Sequence, residues 1–287
     1  MNRRFITEEV IKGYESFLKY EEKSRATTEK YIRDVRKLAT FLEGRELTKE
    51  LVIGFKGHLR ECGRYNMTSI NSYIDTINRF FEYMNWFDLK IKTYPMQKQS
   101  FQEDERHISR KEYNKLLNAA RRLGKMRLYM MLICLGSTGI RVSELKFITA
   151  EAVRKGLATV CNKGKGRKVI LTDKLCSQLS EYMKKEGIST GPIFITCHGN
   201  PVDRSNVWKE MKKLAEKAKV SVSRVFPHNL RKLFASCFYD QEKDIAKVAE
   251  VLGHSRLDTT RIYIRETAGM IRNVLERLEL VMEPSWD

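Results

Sequence analysis

A polar stretch interrupts the helical periodicity of this chain after roughly its first third. Residues 92–109 read KTYPMQKQSFQEDERHIS, with Pro95 followed by Gln, Lys and Ser residues and then by three consecutive acidic residues. Such a composition is typical of a linker rather than of a packed element. A chain of 287 residues is also long enough for two domains. We therefore predict a first domain over 1–95, a linker over 96–107 and a second domain over 108–287.

The first domain carries apolar residues at helical spacing and lacks strand-like alternation. The clearest stripes lie in TTEKYIRDVRKLATFL (27–42) and SINSYIDTINRFFEYM (69–84). Apolar residues three and four positions apart line one face of a helix, and that face packs into a core. Thr27 or Thr28 is the expected N-cap of the first of these helices. Two less regular stretches complete a predicted bundle of four helices: 8–20 and 49–59.

The second domain combines helical patterns with one predicted β-hairpin. Ser109 followed three residues later by Glu112 is the signature of a capping box, which starts a helix. Residues 156–172 (GLATVCNKGKGRKVILT) instead contain two runs of β-formers around Gly164 and Gly166, as a hairpin with a glycine-bearing turn does. The predicted fold class is therefore mainly α with a small β-hairpin, that is, α+β.

The charge of the chain points to polyanionic partners. It carries 54 Lys and Arg residues against 36 Asp and Glu residues, a formal net charge of +18. Both predicted domains are basic, and a surface of this kind attracts nucleic acid. Charge alone does not distinguish DNA from RNA or from a membrane surface.

Cysteine usage and hydropathy exclude several other classes of protein. The six cysteines are scattered and form no CxxC pair, which argues against a zinc ribbon and against a disulfide scaffold. The most apolar run, 128–135, is too short to span a bilayer, and the N-terminal residues lack a signal-peptide hydrophobic region. No carboxylate cluster suits two Mg²⁺ ions. We expect a reduced, cytoplasmic protein that needs no cofactor or metal and does not bind a membrane.

Six residues of the second domain are of types that can act on a DNA phosphate. Arginines bind phosphate oxygens through charge-assisted bonds, lysine and histidine move protons, and tyrosine can be a nucleophile. Their local contexts are as follows: Arg141 in TGIRVSEL, Lys163 in NKGKGRKVIL, His228 and Arg231 in PHNLRKLFA, and His254 and Tyr263 in LGHSRLDTTRIYIRE.

In this order and context the segments resemble those of the tyrosine recombinases, also called the phage integrase family. TGIRVSEL resembles the first-arginine box of the family. HNLRKLFA resembles the box HxLRHxFA, with Lys232 in place of the commoner histidine. The separation of His254 and Tyr263 matches that between the family's final histidine and its tyrosine. The resemblance is strong over 108–266 and rests on helical pattern alone before that.

The resemblance implies a fold and a mechanism. The fold is an N-terminal helical core-binding, SAM-like bundle followed by a C-terminal tyrosine-recombinase catalytic domain, and together the two clamp double-stranded DNA. Tyr263 is implied to attack a scissile phosphate, forming a 3′-phosphotyrosyl link without metal or ATP. Arg141, Arg231 and His254 are implied to stabilise the transition state, and His228 to accept the proton of the nucleophile.

In the family a lysine of the β-hairpin protonates the departing 5′ oxygen. Aligning the apolar strand that follows favours Lys163, but the repeat KGKGRK allows the register to slip by two residues, so Lys165 stays an alternative. Lys165, Arg167 and Lys168 are also candidate phosphate contacts. Glu144, one turn after Arg141, is expected to hold the Arg141 guanidinium in place.

Further DNA contacts and an assembly are expected from the same resemblance. Cations of the N-terminal bundle are candidate phosphate contacts: Lys30, Arg33, Arg36, Lys37, Arg64 and Arg79. An apolar stripe over 268–282 predicts a C-terminal helix that docks on a neighbouring protomer. The expected partners are therefore duplex DNA and either a homo-tetramer on that DNA or a second recombinase.

Two rival functions remain open at the level of sequence. A type IB topoisomerase shares the tyrosine chemistry but relaxes supercoils as a monomer, and a regulator on the same fold binds DNA without cutting it. A pure DNA-binding protein has no need for Tyr263. Integration or excision, inversion and dimer resolution are all compatible with the sequence.

Overall fold

The computed structural model describes residues 3–96, 107–162, 165–196, 198–254, 256–261, 263 and 277, and of residues 162, 165 and 258 it describes the backbone alone. Proximity of Cα atoms divides the chain into two compact units, Met1–Lys98 and Gln99–Asp287. Most of the predicted linker, 97–106, lies outside the described residues.

The described part of the first unit is built from α-helices joined by short turns. The helices are α1 (Glu8–Tyr20), α2 (Arg25–Leu42), α3 (Lys49–Glu61) and α4 (Met67–Tyr83), followed by a 3₁₀ helix at Phe87–Leu89. Each α-helix begins after a residue whose side-chain oxygen accepts a backbone N–H of the first turn. These caps are Thr7, Ser24, Thr48 and Asn66. The predicted bundle of four helices is confirmed.

The apolar stripes read from the sequence form the core of this unit. Val35 and Leu38 of α2 belong to the same cluster of buried side chains as Ile74 and Phe81 of α4. The other helices contribute further buried residues to that cluster: Ile11, Tyr14 and Leu18 from α1, and Val52, Phe55 and Leu59 from α3. The core therefore fixes which faces of α2 and α4 remain for solvent.

The start of α2 differs from the prediction. Ser24 caps this helix, with its hydroxyl oxygen 3.3 Å from the backbone nitrogen of Thr27, so the expectation of Thr27 or Thr28 as the cap is wrong. Thr28 is instead buried on the inner face of the helix. The apolar stripe begins only beyond it, and so the stripe could not reveal the preceding turn.

The second unit contains more elements, and the segment of lowest polarity lies at its centre. Its helices among the described residues are α5 (Arg110–Arg122), α6 (Met126–Thr138), α7 (Ala150–Lys155), α8 (Asp173–Glu186), α9 (Arg204–Lys217), α10 (Pro227–Glu242), α11 (Ile245–Leu252) and α12 (Leu257–Arg261). The apolar helix α6 packs against α5, α8, α9 and α10. A helix surrounded in this way needs apolar side chains on every side, as the run LYMMLICL provides.

The predicted β-hairpin and capping box are both confirmed. Strands β1 (Leu157–Asn162) and β2 (Lys165–Ile170) pair in antiparallel fashion, with Leu157 opposite Ile170 and Asn162 opposite Lys165. Ser109 and Glu112 form a reciprocal capping box at the start of α5. The chain is thus mainly helical with a two-stranded sheet among the described residues.

Across the ranges that the structure describes, we find no helix with the length and apolar character needed to cross a bilayer.

Candidate active site

Arg141 is placed by the sharp end of α6. The helix ends because Gly139 adopts a positive φ of 62°, a conformation that favours glycine. A side chain at Gly139 would also overlap the ring of Phe234 on α10. The chain then enters a 3₁₀ helix, Val142–Phe147, whose N-cap is Arg141. Arg141 therefore lies at a tight turn that packs against α10.

Glu144 anchors this turn through four hydrogen bonds. Its carboxylate accepts the backbone N–H of Arg141 at 2.7 Å and the Arg141 Nη1 at 3.1 Å. It also accepts Nη1 and Nη2 of Arg167, on β2, at 2.9 and 3.1 Å. Burial raises the pKa of Glu144, but the bonds from Arg167 and from the Arg141 backbone outweigh burial and hold the pKa below its ordinary value. Glu144 is therefore a buried carboxylate shared by two arginines.

His228 and Arg231 lie one turn apart on α10. Pro227 occupies the first position of this helix, where its missing N–H costs nothing. Arg231 is only 2% exposed and donates to the carbonyl oxygens of Gly139 and Leu252. Its Nε has no hydrogen-bond partner among the described residues. A buried guanidinium with an unpartnered N–H is suited to donating a further hydrogen bond to a bound anion.

His254 and Tyr263 complete the cluster. The His254 Nε2 lies 3.0 Å from Nη2 of Arg231, and its Nδ1 lies 2.8 Å from the hydroxyl of Thr260. The Tyr263 ring lies against both histidines, with ring centroids 5.2 Å from His228 and 5.3 Å from His254. The structure describes five of the six predicted catalytic residues, and all five lie close together in one chain: Arg141, His228, Arg231, His254 and Tyr263.

The electrostatics of this cluster favour a bound anion. Burial, followed by the charge of Arg231, lowers the pKa of His254 to about 4. Burial, followed by Lys232 and Arg231, also lowers the pKa of His228. Burial and the neighbouring Arg141 lower the pKa of Arg231 to about 10. A negatively charged group bound here would relieve the repulsion between Arg141 and Arg231.

A cavity of about 350 Å³ opens beside Arg141 and Arg231. Its walls come from the 3₁₀ helix, from α10 and from the start of α9, and its polar lining residues are Arg141, Ser143, Arg204, His228 and Arg231. The partly exposed indole of Trp208 forms part of the rim. The cavity is large enough for a phosphodiester group.

The hairpin cations have different outcomes. Lys163 lies outside the described residues, and only the backbone of Lys165 is described, as the first residue of β2. Arg167 is bound to Glu144, whereas Lys168 is exposed to solvent. The choice between Lys163 and Lys165 as proton donor stays a prediction, as does phosphate binding by Lys165, Arg167 and Lys168.

Several cations of the first unit have protein partners. Lys30 bonds to the buried carboxylate of Asp34 at 2.7 Å and to the Thr76 hydroxyl at 2.8 Å. The remaining side chains comprise three paired groups and two exposed ones: Arg33 with Asp34, Arg36 with Glu8, Lys37 with Tyr65, and the exposed Arg64 and Arg79. Contact of these cations with DNA stays a prediction.

Three residues of the site were missed by sequence reasoning. Arg204 and Trp208 line the cavity from the first turns of α9, and Thr260 contacts His254. A basic residue just after the helix cap Asp203 is a signal for Arg204, but it is common in sequences. The pair of threonines at 259–260 was visible as a motif, but its contact with the His254 ring was not.

Comparison with known proteins identifies the family of the chain. Residues 106–269 match the model of the phage integrase family, and residues 11–86 match that of the phage integrase N-terminal SAM-like domain. The chain is 27% identical to the tyrosine recombinase XerA of Pyrococcus furiosus, covering 98% of both chains. It is 28% identical to XerD of Halalkalibacterium halodurans, covering 93% of this chain and 97% of that one.

Solved structures share the fold. A lambda integrase dimer bound to a COC′ core site matches with a TM-score of 0.74 at 15% identity, over 100% of this chain and 81% of that one. The XerH recombinase bound to its difH substrate matches with a TM-score of 0.67 at 18% identity, over 91% and 81%. The chain therefore belongs to the phage integrase family and is a site-specific tyrosine recombinase, an enzyme that cuts and rejoins DNA.

Proposed function

We propose that Tyr263 is the nucleophile that cuts duplex DNA, leaving a 3′-phosphotyrosyl link and a free 5′ hydroxyl. The observation that supports this most is the position of the Tyr263 ring against both His228 and His254. A tyrosine that served only for packing would not need two histidines and a buried arginine beside it. Tyr263 contacts His228, which lines the cavity, and we propose that its hydroxyl reaches a phosphate held there.

In the proposed reaction, the Tyr263 oxygen forms a bond to phosphorus as the bond from phosphorus to the 5′ oxygen breaks. His228 accepts the phenolic proton, which its lowered pKa allows because its ring is neutral near pH 7. A hairpin lysine, Lys163 or alternatively Lys165, gives a proton to the departing 5′ oxygen. The new ester conserves the energy of the broken bond, so rejoining reverses the same steps.

Arg141 and Arg231 would bind the non-bridging oxygens of the phosphate. Both line the cavity, and the Nε of Arg231 has no described partner to displace. Donors held in advance of the reaction stabilise the charge of the transition state and commonly contribute a few kcal/mol each. Two fixed guanidinium groups can thus do the work that a metal ion does in other phosphoryl-transfer enzymes.

His254 needs a proton change before it can donate to the phosphate. Arginine donates only, so the Nε2 of His254 accepts the bond from Arg231 and the ring proton lies on Nδ1. A bound phosphate would offset the positive charges that lower the His254 pKa. Protonation of Nε2 would then allow His254 to donate to a phosphate oxygen while Nδ1 stays bonded to Thr260.

Duplex DNA and a tetramer of protomers are the proposed partners. Lambda integrase, a protein of the same fold, has been solved both on a core site and as a tetramer on a Holliday junction. The predicted docking helix over 268–282 lies, apart from Arg277, outside the described residues. Recombination acts on chromosomal or element DNA, so we expect the enzyme in the cytoplasm.

A covalent adduct assay tests the proposed nucleophile. Wild type and Tyr263→Phe would be incubated in EDTA with nicked duplexes that cover the DNA flanking the gene of this protein, and then denatured. We expect protein-linked DNA with the wild type only. Adduct formation by Tyr263→Phe would refute the assignment, and the absence of an adduct with either protein on every fragment would argue against strand cleavage by this chain alone.

A further inference from the structure

Each of the three guanidinium nitrogens of Arg167 donates a hydrogen bond to the protein. Its Nη1 and Nη2 bind the two oxygens of Glu144 at 2.9 and 3.1 Å, and its Nε lies 3.4 Å from the carbonyl oxygen of Val251. Its side chain is 15% exposed. A guanidinium whose three nitrogens already donate to the protein is poorly placed to bind a phosphate as well.

Arg167 also contacts the segment that leads to His254. Gly253 ends α11 with a positive φ of 66°, and a Cβ at that position would overlap the side-chain stem of Arg167. Arg167 therefore links three parts of the site: strand β2 of the hairpin, the carboxylate beneath Arg141, and the turn before His254. No other described side chain donates to both the Glu144 carboxylate and the end of α11.

The Glu144 carboxylate is only 1% exposed and needs positive partners, because an uncompensated buried carboxylate is costly. Arg167 binds it with Nη1 and Nη2, whereas the Arg141 side chain binds it with Nη1 alone. The side chain of Arg141 is 35% exposed and lines the cavity. The remaining Arg141 nitrogens therefore have no described hydrogen-bond partner.

We propose that Arg167 is a positioning residue, which neutralises Glu144 so that Arg141 stays available to the scissile phosphate. This inference rests on the proposed function of the site. Without Arg167, the carboxylate would attract the whole Arg141 fork and withdraw it from the cavity. Arg167 then acts through Arg141 and is not itself a DNA contact.

The alternative that Arg167 binds a DNA phosphate predicts different behaviour. Loss of a phosphate contact weakens binding to any DNA sequence. It also reduces the slope of log K against log salt concentration by about one. Lys168 provides the matched comparison, since it is the next residue on β2, points to the opposite face of the strand and is exposed. Lys168→Met removes the same charge without touching Glu144.

The experiment compares wild type, Arg167→Met, Lys168→Met, Glu144→Gln and the double variant Glu144→Gln with Arg167→Met. Three quantities are measured: the salt dependence of binding to a non-specific duplex, calorimetric binding of orthovanadate as a phosphate-like probe, and adduct formation on nicked duplexes. Arg167→Met should keep the wild-type salt dependence but lose about 10- to 100-fold in cleavage rate, as misplaced catalytic groups do. Its vanadate binding should also weaken.

The double variant is the decisive test. Removing the charge of Glu144 releases Arg141, so adding Glu144→Gln to Arg167→Met should restore vanadate binding and much of the cleavage rate. Lys168→Met should reduce the salt dependence of binding. Arg167→Lys keeps the charge but loses the fork, and should fall between wild type and Arg167→Met. Thermal melts of every variant exclude unfolding as the cause.

Two failures are distinguishable. The inference is overturned if wild type cleaves DNA but Arg167→Met loses salt dependence as Lys168→Met does. It is also overturned if adding Glu144→Gln to Arg167→Met restores neither vanadate binding nor cleavage. The proposed function itself fails if wild type neither binds vanadate nor forms an adduct. Should Arg167→Met not fold, the comparison of Arg167→Lys with and without Glu144→Gln gives the same two answers.

Discussion

Thr260 holds the ring of His254 in one tautomer. The Thr260 hydroxyl lies 2.8 Å from Nδ1 of His254, whose Nε2 accepts from Arg231 on the other side of the ring. The ring proton therefore lies on Nδ1, and Thr260 accepts it. Thr260, which is fully buried, thus determines which ring nitrogen of His254 carries the proton.

Replacing Thr260 with valine should slow cleavage while sparing DNA binding. Valine has nearly the same shape but cannot accept a hydrogen bond from Nδ1. The tautomer of His254 that carries its proton on Nδ1 and accepts from Arg231 is then no longer stabilised. We expect a fall of about 10-fold in adduct formation, equivalent to one hydrogen bond of about 1.4 kcal/mol. Thr259→Val is the matched control, because Thr259 is exposed. Equal rates for the two variants would contradict the role of Thr260.

The stability of the DNA-free protein should fall as the pH is lowered below about 6.5. Burial and nearby cations lower the pKa of His254 to about 4 and lower that of His228, whereas histidines of the unfolded chain titrate near 6.5. The unfolded state then binds more protons, so stability that is full above pH 6.5 is lost as the pH falls toward 4.

Urea unfolding at pH 7.5 and 5.5 measures this loss. The variant His254→Asn lacks one of the two depressed groups, and we expect a smaller difference in the free energy of unfolding between the two pH values. Wild type and variant losing the same free energy would show that His254 is not a source of the pH dependence.

Gly139 should resist substitution more than a glycine that shares its conformation but has open space. Gly139→Ala combines a positive φ with overlap of Phe234, whereas Gly187, with φ of 67°, has no atom near the position of an added Cβ. Gly187→Ala should cost the backbone penalty alone, about 1–2 kcal/mol. Gly139→Ala should cost a further 1–3 kcal/mol or so from overpacking, read from urea unfolding. If both variants lost the same free energy of unfolding, the overlap with Phe234 would be relieved by a movement of α10 that costs no stability.

A sulfur leaving group identifies the proton donor of the hairpin. A thiolate needs no protonation on leaving, since thiols have a pKa near 8.5, well below that of alcohols. On DNA with a bridging 5′ sulfur, Lys163→Met should cleave at nearly the wild-type rate, although it is slow on ordinary DNA. Lys165→Met should show no such recovery. Recovery of Lys165→Met instead would move the assignment by two residues.

Patterns local in sequence predicted much of the fold. The helix stripes of α2 and α4, the capping box at Ser109 and the hairpin around Gly164 all depend on neighbours within a few residues, and the structure confirms them. The cap of α2 was missed because polar residues lie both before and inside its first turn. Ser24 is the cap, and Thr28 is buried within the helix.

The site was predictable as a set of residues but not as a set of contacts. Motifs in separate segments indicated Arg141, His228, Arg231, His254 and Tyr263, which the fold brings together. The bond between Arg167 and Glu144 joins residues 23 positions apart, and no periodicity encodes it. The same holds for Arg204, which only the packing of α9 brings to the cavity.

Mixing two inactive variants tests most directly whether one chain supplies a complete active site. Tyr263→Phe lacks the nucleophile and Arg141→Ala lacks a phosphate ligand, and the two would be combined on a nicked duplex that wild type cleaves. Because Tyr263 lies against His228 and His254 of its own chain, we predict no more adduct from the mixture than from Arg141→Ala alone. Recovery of adduct in the mixture would mean that a partner protomer delivers the tyrosine, contradicting the arrangement described here.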